Sequence, residues 1–111
     1  MNGEKINSIF VIMFATAGLI NSNYTLAVDM PAEGQAKCGT CHAIDKNIFG
    51  PSFMAISEKY KGDKDAANKI ATSITMGGSF GWLFGSMPAK GLGANDSEIQ
   101  FLSKFIADLA K

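Results

Sequence analysis

Cys38-Gly39-Thr40-Cys41-His42 decides how this chain is read, because it gathers both cysteines and the single histidine into five consecutive positions. A C-x-x-C-H spacing is the signature of c-type haem attachment. Two thiols three positions apart on a tight helical turn can each form a thioether to one porphyrin vinyl group. The residue that follows then sits under the iron, where a neutral imidazole nitrogen serves as the fifth ligand. Other readings of the same residues are weaker. A thioredoxin-like dithiol needs a strand-helix-strand setting, and no such pattern surrounds it. A structural zinc site needs four ligands, and Cys and His together supply three. A disulfide between Cys38 and Cys41 would close a small strained loop and leave His42 unexplained.

The N-terminus supports the same reading. Lys5 precedes an apolar run from Ile9 to Ile20, then come Asn21-Ser22-Asn23-Tyr24 and Thr25-Leu26-Ala27. This order of charge, apolar stretch and small residue is that of a secretory signal peptide. The run is shorter than the roughly 20 residues a membrane span requires, so an uncleaved anchor is the lesser alternative. Ala15-Thr16-Ala17 also fits the cleavage rule, but a cut there would truncate the apolar run. Residues 1–27 are therefore expected to be a signal peptide and residues 28–111 the mature domain. Export fits the motif, since bacterial haem attachment takes place outside the cytoplasmic membrane.

A domain of this size has a marginal core unless something reinforces it, and a covalently held haem would do so. The ten basic residues, all lysine, balance ten acidic ones. Cleavage would remove Glu4 and Lys5 together and leave the remainder neutral. A neutral chain argues against nucleic acid, whose phosphates demand a basic face.

No strand alternation runs through the mature segment, and its apolar spacing predicts an all-α fold of about four short helices wrapped around the haem. Pro31 opens the first, which runs through Gly34 into the haem motif. A second is expected around Phe53–Tyr60, after the Gly50-Pro51 break. Asp63 is expected to cap a third that carries Ala66, Ala67, Ile70, Ala71 and Ile74 on one face, with Gly77-Gly78 as its stop. A glycine-rich aromatic loop leads to the last helix, which starts at Asn95 with Glu98 three residues on, a capping-box pattern. Ile99, Leu102, Ile106 and Leu109 recur there at helical spacing, flanked by Phe101 and Phe105.

The absence of a second histidine excludes bis-histidine ligation within one chain. Met30, Met54, Met76 and Met87 are the candidates for the sixth position that remain after cleavage. Met54 and Met76 lie on expected helices, where methionine commonly fills gaps in a core. Met87 stands in Gly85-Ser86-Met87-Pro88, in a loop long enough to wrap to the far haem face, and Pro88 stiffens the chain beside it. Met87 is the candidate that fits the Met/His ligation of cytochromes c.

With Cys38–His42, Gly50-Pro51, Trp82 five residues before Met87, Met87-Pro88 and the capped last helix in view, the mature segment resembles the class I c-type cytochromes. Within them it is most similar to the short bacterial monohaem c-551/c-552 group. The resemblance implies that the Pro51 carbonyl receives the other ring nitrogen of His42, and that Trp82 donates its indole N–H to a haem propionate. Plain burial is the structural alternative for Trp82, and both readings agree with a buried indole needing a partner. Three departures stand out. The first helix has no aromatic to pack on the last, so their contact must rely on Gly34 or Met30. Ser86 replaces a more rigid neighbour of the methionine, which predicts a looser loop. No arginine is present near a propionate.

The expected function is a periplasmic single-electron carrier and not an enzyme. It would shuttle electrons by transient docking between redox proteins such as membrane-bound cytochrome complexes and terminal oxidases or reductases. Lys37, Lys46 and Lys90 are candidates for a docking ring, against the plainer reading of a solvated surface. Two alternatives stay open. One is a five-coordinate haem protein that binds small gases or handles peroxide. The other is a haem subunit of a larger oxidase or reductase, for which an outward-facing Phe80-Trp82-Leu83-Phe84 cluster would speak.

Overall fold

A computed structural model describes residues 28–111, so the expected signal peptide, residues 1–27, lies outside the described residues. Those residues form an all-α fold of four helices, α1 (Ala32–Lys37), α2 (Phe53–Lys59), α3 (Ala66–Met76) and α4 (Asp96–Leu109).

α4 is the organising element, and its start is fixed locally. The Asn95 side chain accepts from the Glu98 N–H at 2.8 Å, and the Asn95 N–H donates to the Glu98 carboxylate at 3.0 Å. The reciprocal pair satisfies two of the donors that a helix N-terminus leaves free. Ile99, Leu102 and Ile106 are all but fully buried. α4 as a whole packs most extensively on α3, then on α2, and least on α1. Phe101 is half exposed, so it lies off the buried stripe.

The contact between α1 and α4 depends on the missing side chain of Gly34. A Cβ there would lie 3.2 Å from Leu102 Cδ2 and 2.8 Å from Met30 Cγ. Gly34 thus lets α4 approach, and Met30 fills the flank beside it. The C-terminal carbonyl of α1 is satisfied from a distance, since the Leu92 N–H donates to Lys37 O at 3.1 Å.

α2 starts at a serine cap, with Ser52 Oγ accepting from the Ala55 N–H at 3.0 Å. Its Ser57 then reaches the end of α4, donating to Ala107 O at 3.3 Å and accepting from the Ala110 N–H at 2.9 Å. α3 buries Ala66, Ile70, Ala71 and Ile74 as its spacing predicts, but it begins later than the expected cap at Asp63. Asp65 is the N-cap residue and offers no side-chain cap. Asp63 instead folds a tight turn, accepting from the Asp65 N–H at 2.8 Å and pairing with Lys69 at 2.6 Å. A short acidic side chain competes equally well for a turn and for a helix start, and here the turn wins. The Lys69 ammonium holds the Asp63 carboxyl below its usual range.

Two buried serines separate the effect of a hydrogen bond from that of burial. Ser57 has both its partners, whereas the Ser103 hydroxyl on α4 is fully buried without any. Ser57→Ala is expected to cost about 1–3 kcal/mol, because it removes both hydroxyl bonds that tie α2 to the end of α4. Ser103→Ala removes an orphaned hydroxyl and is expected to be neutral or stabilising by up to about 1 kcal/mol. Denaturant unfolding of the two variants side by side measures the difference.

Candidate haem site

α1 passes directly into the attachment stretch. The Cys38 N–H donates to Gly34 O at 2.8 Å, and the N–H groups of Cys41 and His42 both donate to Cys38 O, at 3.1 and 2.9 Å. This turn puts Cys38, Cys41 and His42 on the wall of one cavity of about 260 Å³. Both cysteines are free thiols, with Cys38 buried and Cys41 half-buried. Burial, helped by the neighbouring Cys41 and Glu98, pushes the Cys38 thiol up to about 11.

His42 is held in one orientation. Its Nδ1 lies 2.6 Å from Pro51 O. A carbonyl oxygen only accepts, so Nδ1 carries a proton, and in the neutral ring Nε2 is then the nitrogen with the lone pair. The ring packs on Phe53 with centroids 5.4 Å apart. It also lies flat against Gly50, where a Cβ would stand 2.7 Å from His42 Cε1. The Gly50 N–H donates to Cys41 O at 2.8 Å, and Asn47 Oδ1 accepts from the Ser52 N–H at 2.8 Å. The segment from His42 to Ser52 is therefore closed on itself, with Pro51 directed at the imidazole.

Met87 lies on a second wall. Among the four methionines of the described residues, it alone lines the cavity. Met30 packs beside Gly34, Met54 is half-buried elsewhere, and Met76 is mostly exposed. The backbone of Met87 is clamped by a reciprocal pair of bonds to Gly78, each 2.9 Å. Gly77, at φ +70, makes room for that clamp, since a Cβ would stand 2.7 Å from Met87 O. The sequence showed Gly77-Gly78 only as a helix stop. Its second role depends on a partner nine residues away, for which no local signal exists.

Phe80, Trp82 and Phe84 line the cavity with Met87 and Ser86. Leu83 points the other way and is 99% exposed, which divides the aromatic cluster between the two faces left open by the sequence. Trp82 also faces Lys59, whose Nζ is 5.1 Å from the ring centroid. Lys59 was not singled out by sequence, and nothing in its neighbourhood of α2 could have done so. Of the three candidate docking lysines, Lys37 and Lys90 are close in the backbone, because a Cβ on Gly91 would touch Lys37 O at 2.6 Å. Lys46 is exposed on the loop after His42.

The donor set consists of two thiols, one imidazole nitrogen with a free lone pair and one thioether, on walls that are otherwise largely apolar. That set fits a covalently attached haem, with the carbonyl of Pro51 fixing the tautomer of the His42 ring.

Comparison with known proteins gives a consistent result. The cytochrome c family pattern matches residues 32–110. The chain is 31% identical over 101 residues to cytochrome c-552 of Hydrogenobacter thermophilus, covering 91% of this chain and 95% of that one. It is 35% identical over 69 residues to cytochrome c-551 of Azotobacter vinelandii, covering 62% and 82%. Its fold is similar to the crystal structure of cytochrome c552 from Nitrosomonas europaea, with a TM-score of 0.64 at 28% identity, over 69% of this chain and 95% of that one.

Gly50→Ala would push a methyl group into the imidazole of His42. An overpacked site of this kind is expected to lose about 1–3 kcal/mol. The His42 Nδ1–H proton resonance should shift and exchange faster with solvent as its bond to Pro51 lengthens. Proton NMR together with denaturant unfolding checks both effects.

Proposed function

The chain belongs to the cytochrome c family, and on that premise we propose that it is a periplasmic single-electron carrier with Cys38, Cys41, His42 and Met87 as its haem-holding residues. The observation that carries the reading is the convergence of those four side chains on one cavity, in a chain with no other histidine. Haem c, one per chain and covalently bound, supplies an iron that cycles between ferrous and ferric states.

The residues divide the work. Cys38 and Cys41 form the two thioethers that make attachment permanent. His42 presents Nε2 to the iron, and its Nδ1–H bond to Pro51 O fixes the ring and raises its basicity. Met87 offers a soft thioether as the sixth ligand, which favours the reduced state and raises the potential. Phe53, Ile70, Ile74 and Ile106 line the cavity with hydrocarbon and exclude water. Trp82, also on that lining, would donate its indole N–H to a propionate. If His42 and Met87 both held the iron, no coordination site would be left for a substrate, which supports a carrier and not an enzyme.

Residues 1–27 act in this reading as an export signal, leaving Val28 as the mature N-terminus. No helix of the described residues is long and apolar enough to cross a membrane. Partners are membrane-bound cytochrome complexes and terminal oxidases or reductases, met through small transient contacts. Lys37 and Lys90, adjacent in the backbone, give a neutral protein a local positive patch, and steering then depends on charge asymmetry.

Visible spectroscopy of the exported protein tests the ligand set. The expected result is a low-spin reduced spectrum, a weak far-red band in the oxidised form and no response to carbon monoxide. A high-spin spectrum that shifts with carbon monoxide would remove Met87 from the iron and favour a gas-binding or peroxide-handling protein. Met87→Ala should abolish the far-red band and admit carbon monoxide. Mass spectrometry of the mature chain should give Val28 as its first residue, and a retained residue 1–27 segment would overturn the export reading.

A further inference from the structure

The loop from Ser79 to Ser86 carries Trp82 and leads into Met87, yet few hydrogen bonds among the described residues hold it. Its internal backbone bonding among the described residues is one turn, from the Trp82 N–H to Ser79 O at 2.9 Å. Its base is closed by the Gly78–Met87 pair. Among the described residues, one further hydrogen bond leaves the loop body, and it comes from Lys59 at the end of α2. Lys59 Nζ donates to Phe80 O at 2.9 Å. The same ammonium lies 5.1 Å from the centroid of Trp82 and 5.7 Å from that of Tyr60, both within cation–π range. Phe80 is in the left-handed region at φ +54, where a bulky residue stays only if its surroundings hold it. The bond to its carbonyl does so.

We propose that Lys59 is a positioning residue that latches the Met87-bearing loop to α2, and so keeps the sixth-ligand side of the site closed to small molecules. The proposal rests on the reading of Met87 as the sixth ligand. Lys59 touches the loop backbone and the Trp82 face, and acts on the iron only through them. Because the ammonium is exposed, the latch adds little to global stability. It counts fully against local opening of a loop that has so few other ties, and local opening is what an incoming ligand requires.

The test is imidazole binding to the oxidised holoprotein, read with the far-red band and with global unfolding by denaturant. Lys59→Gln keeps a polar side chain but removes the charge. It should bind imidazole about fivefold to tenfold more tightly than wild type, weaken the far-red band, and leave the unfolding midpoint almost unchanged. Lys59→Arg, which keeps both the donor and the cation, should restore wild-type imidazole affinity. Unchanged imidazole affinity in Lys59→Gln, with the far-red band present in wild type, overturns the latch. An equal rise in Lys59→Gln and Lys59→Arg overturns it too, since the effect would then follow loss of packing. A wild-type protein without the band, binding imidazole as tightly as Met87→Ala, overturns the Met87 reading itself, and the latch with it.

Discussion

The 2.6 Å bond between His42 Nδ1 and Pro51 O is the contact on which the site is built. It joins the turn after α1 to the start of α2, two segments that share no other side-chain bond to the imidazole. Since a carbonyl can only accept, the bond also dictates the tautomer, and with it which nitrogen faces the cavity. The neighbours of Pro51 serve the same contact. Gly50 leaves room for the ring, and Ser52 begins α2 immediately afterwards, so the carbonyl is carried on backbone that a helix start holds in place. Three consecutive residues thus combine clearance, acceptor and anchor.

The Met87 side is built on another principle. The His42 side consists of short closed turns, each with its own hydrogen bonds, backed by Phe53 and the core face of α4. Met87 is held by two backbone bonds to Gly78 at the base of a long loop, and its side chain packs against the edge of the core. The site thus has one rigid wall and one tethered wall. The His42 ring is fixed by its bond to Pro51, while the unbranched thioether of Met87 keeps rotational freedom of its own.

Much of this was legible in the sequence where the controlling interaction is local. The capping box at Asn95 and Glu98, the stripe of α3 and α4, and the C-x-x-C-H turn all act within one or two helical turns, so their residues stand close in sequence. Asp63 shows the limit of the local argument, because the same carboxylate serves a turn or a helix cap and only tertiary packing selects between them. Gly34 was readable as a close approach, since the lack of an aromatic on α1 required one. The contacts of Gly50 with the His42 ring and of Gly77 with the Met87 carbonyl were not, because a glycine looks the same whether it breaks a helix or clears a path. Lys59 was the least legible, with its acceptor 21 residues away and a helical neighbourhood that reads as ordinary solvated surface.

The non-glycine residues in the left-handed region show where the fold departs from local preference. Among the described residues they are Phe80 at φ +54 and Lys90 at φ +63, and they stand on either side of Met87. Each such residue costs roughly 1–3 kcal/mol and persists only when its surroundings over-determine it. The Lys90 N–H is tied to Ile74 O at 2.7 Å, and its carbonyl accepts from Gly93 and Ala94. Phe80 has the turn of its own loop and the reach of Lys59. The two flanks are therefore unequal, with Lys90 fixed by the main chain of α3 and of its own turn, and Phe80 by one exposed side chain. The backbone strain beside Met87 is thus held through the main chain after it and through one side chain before it.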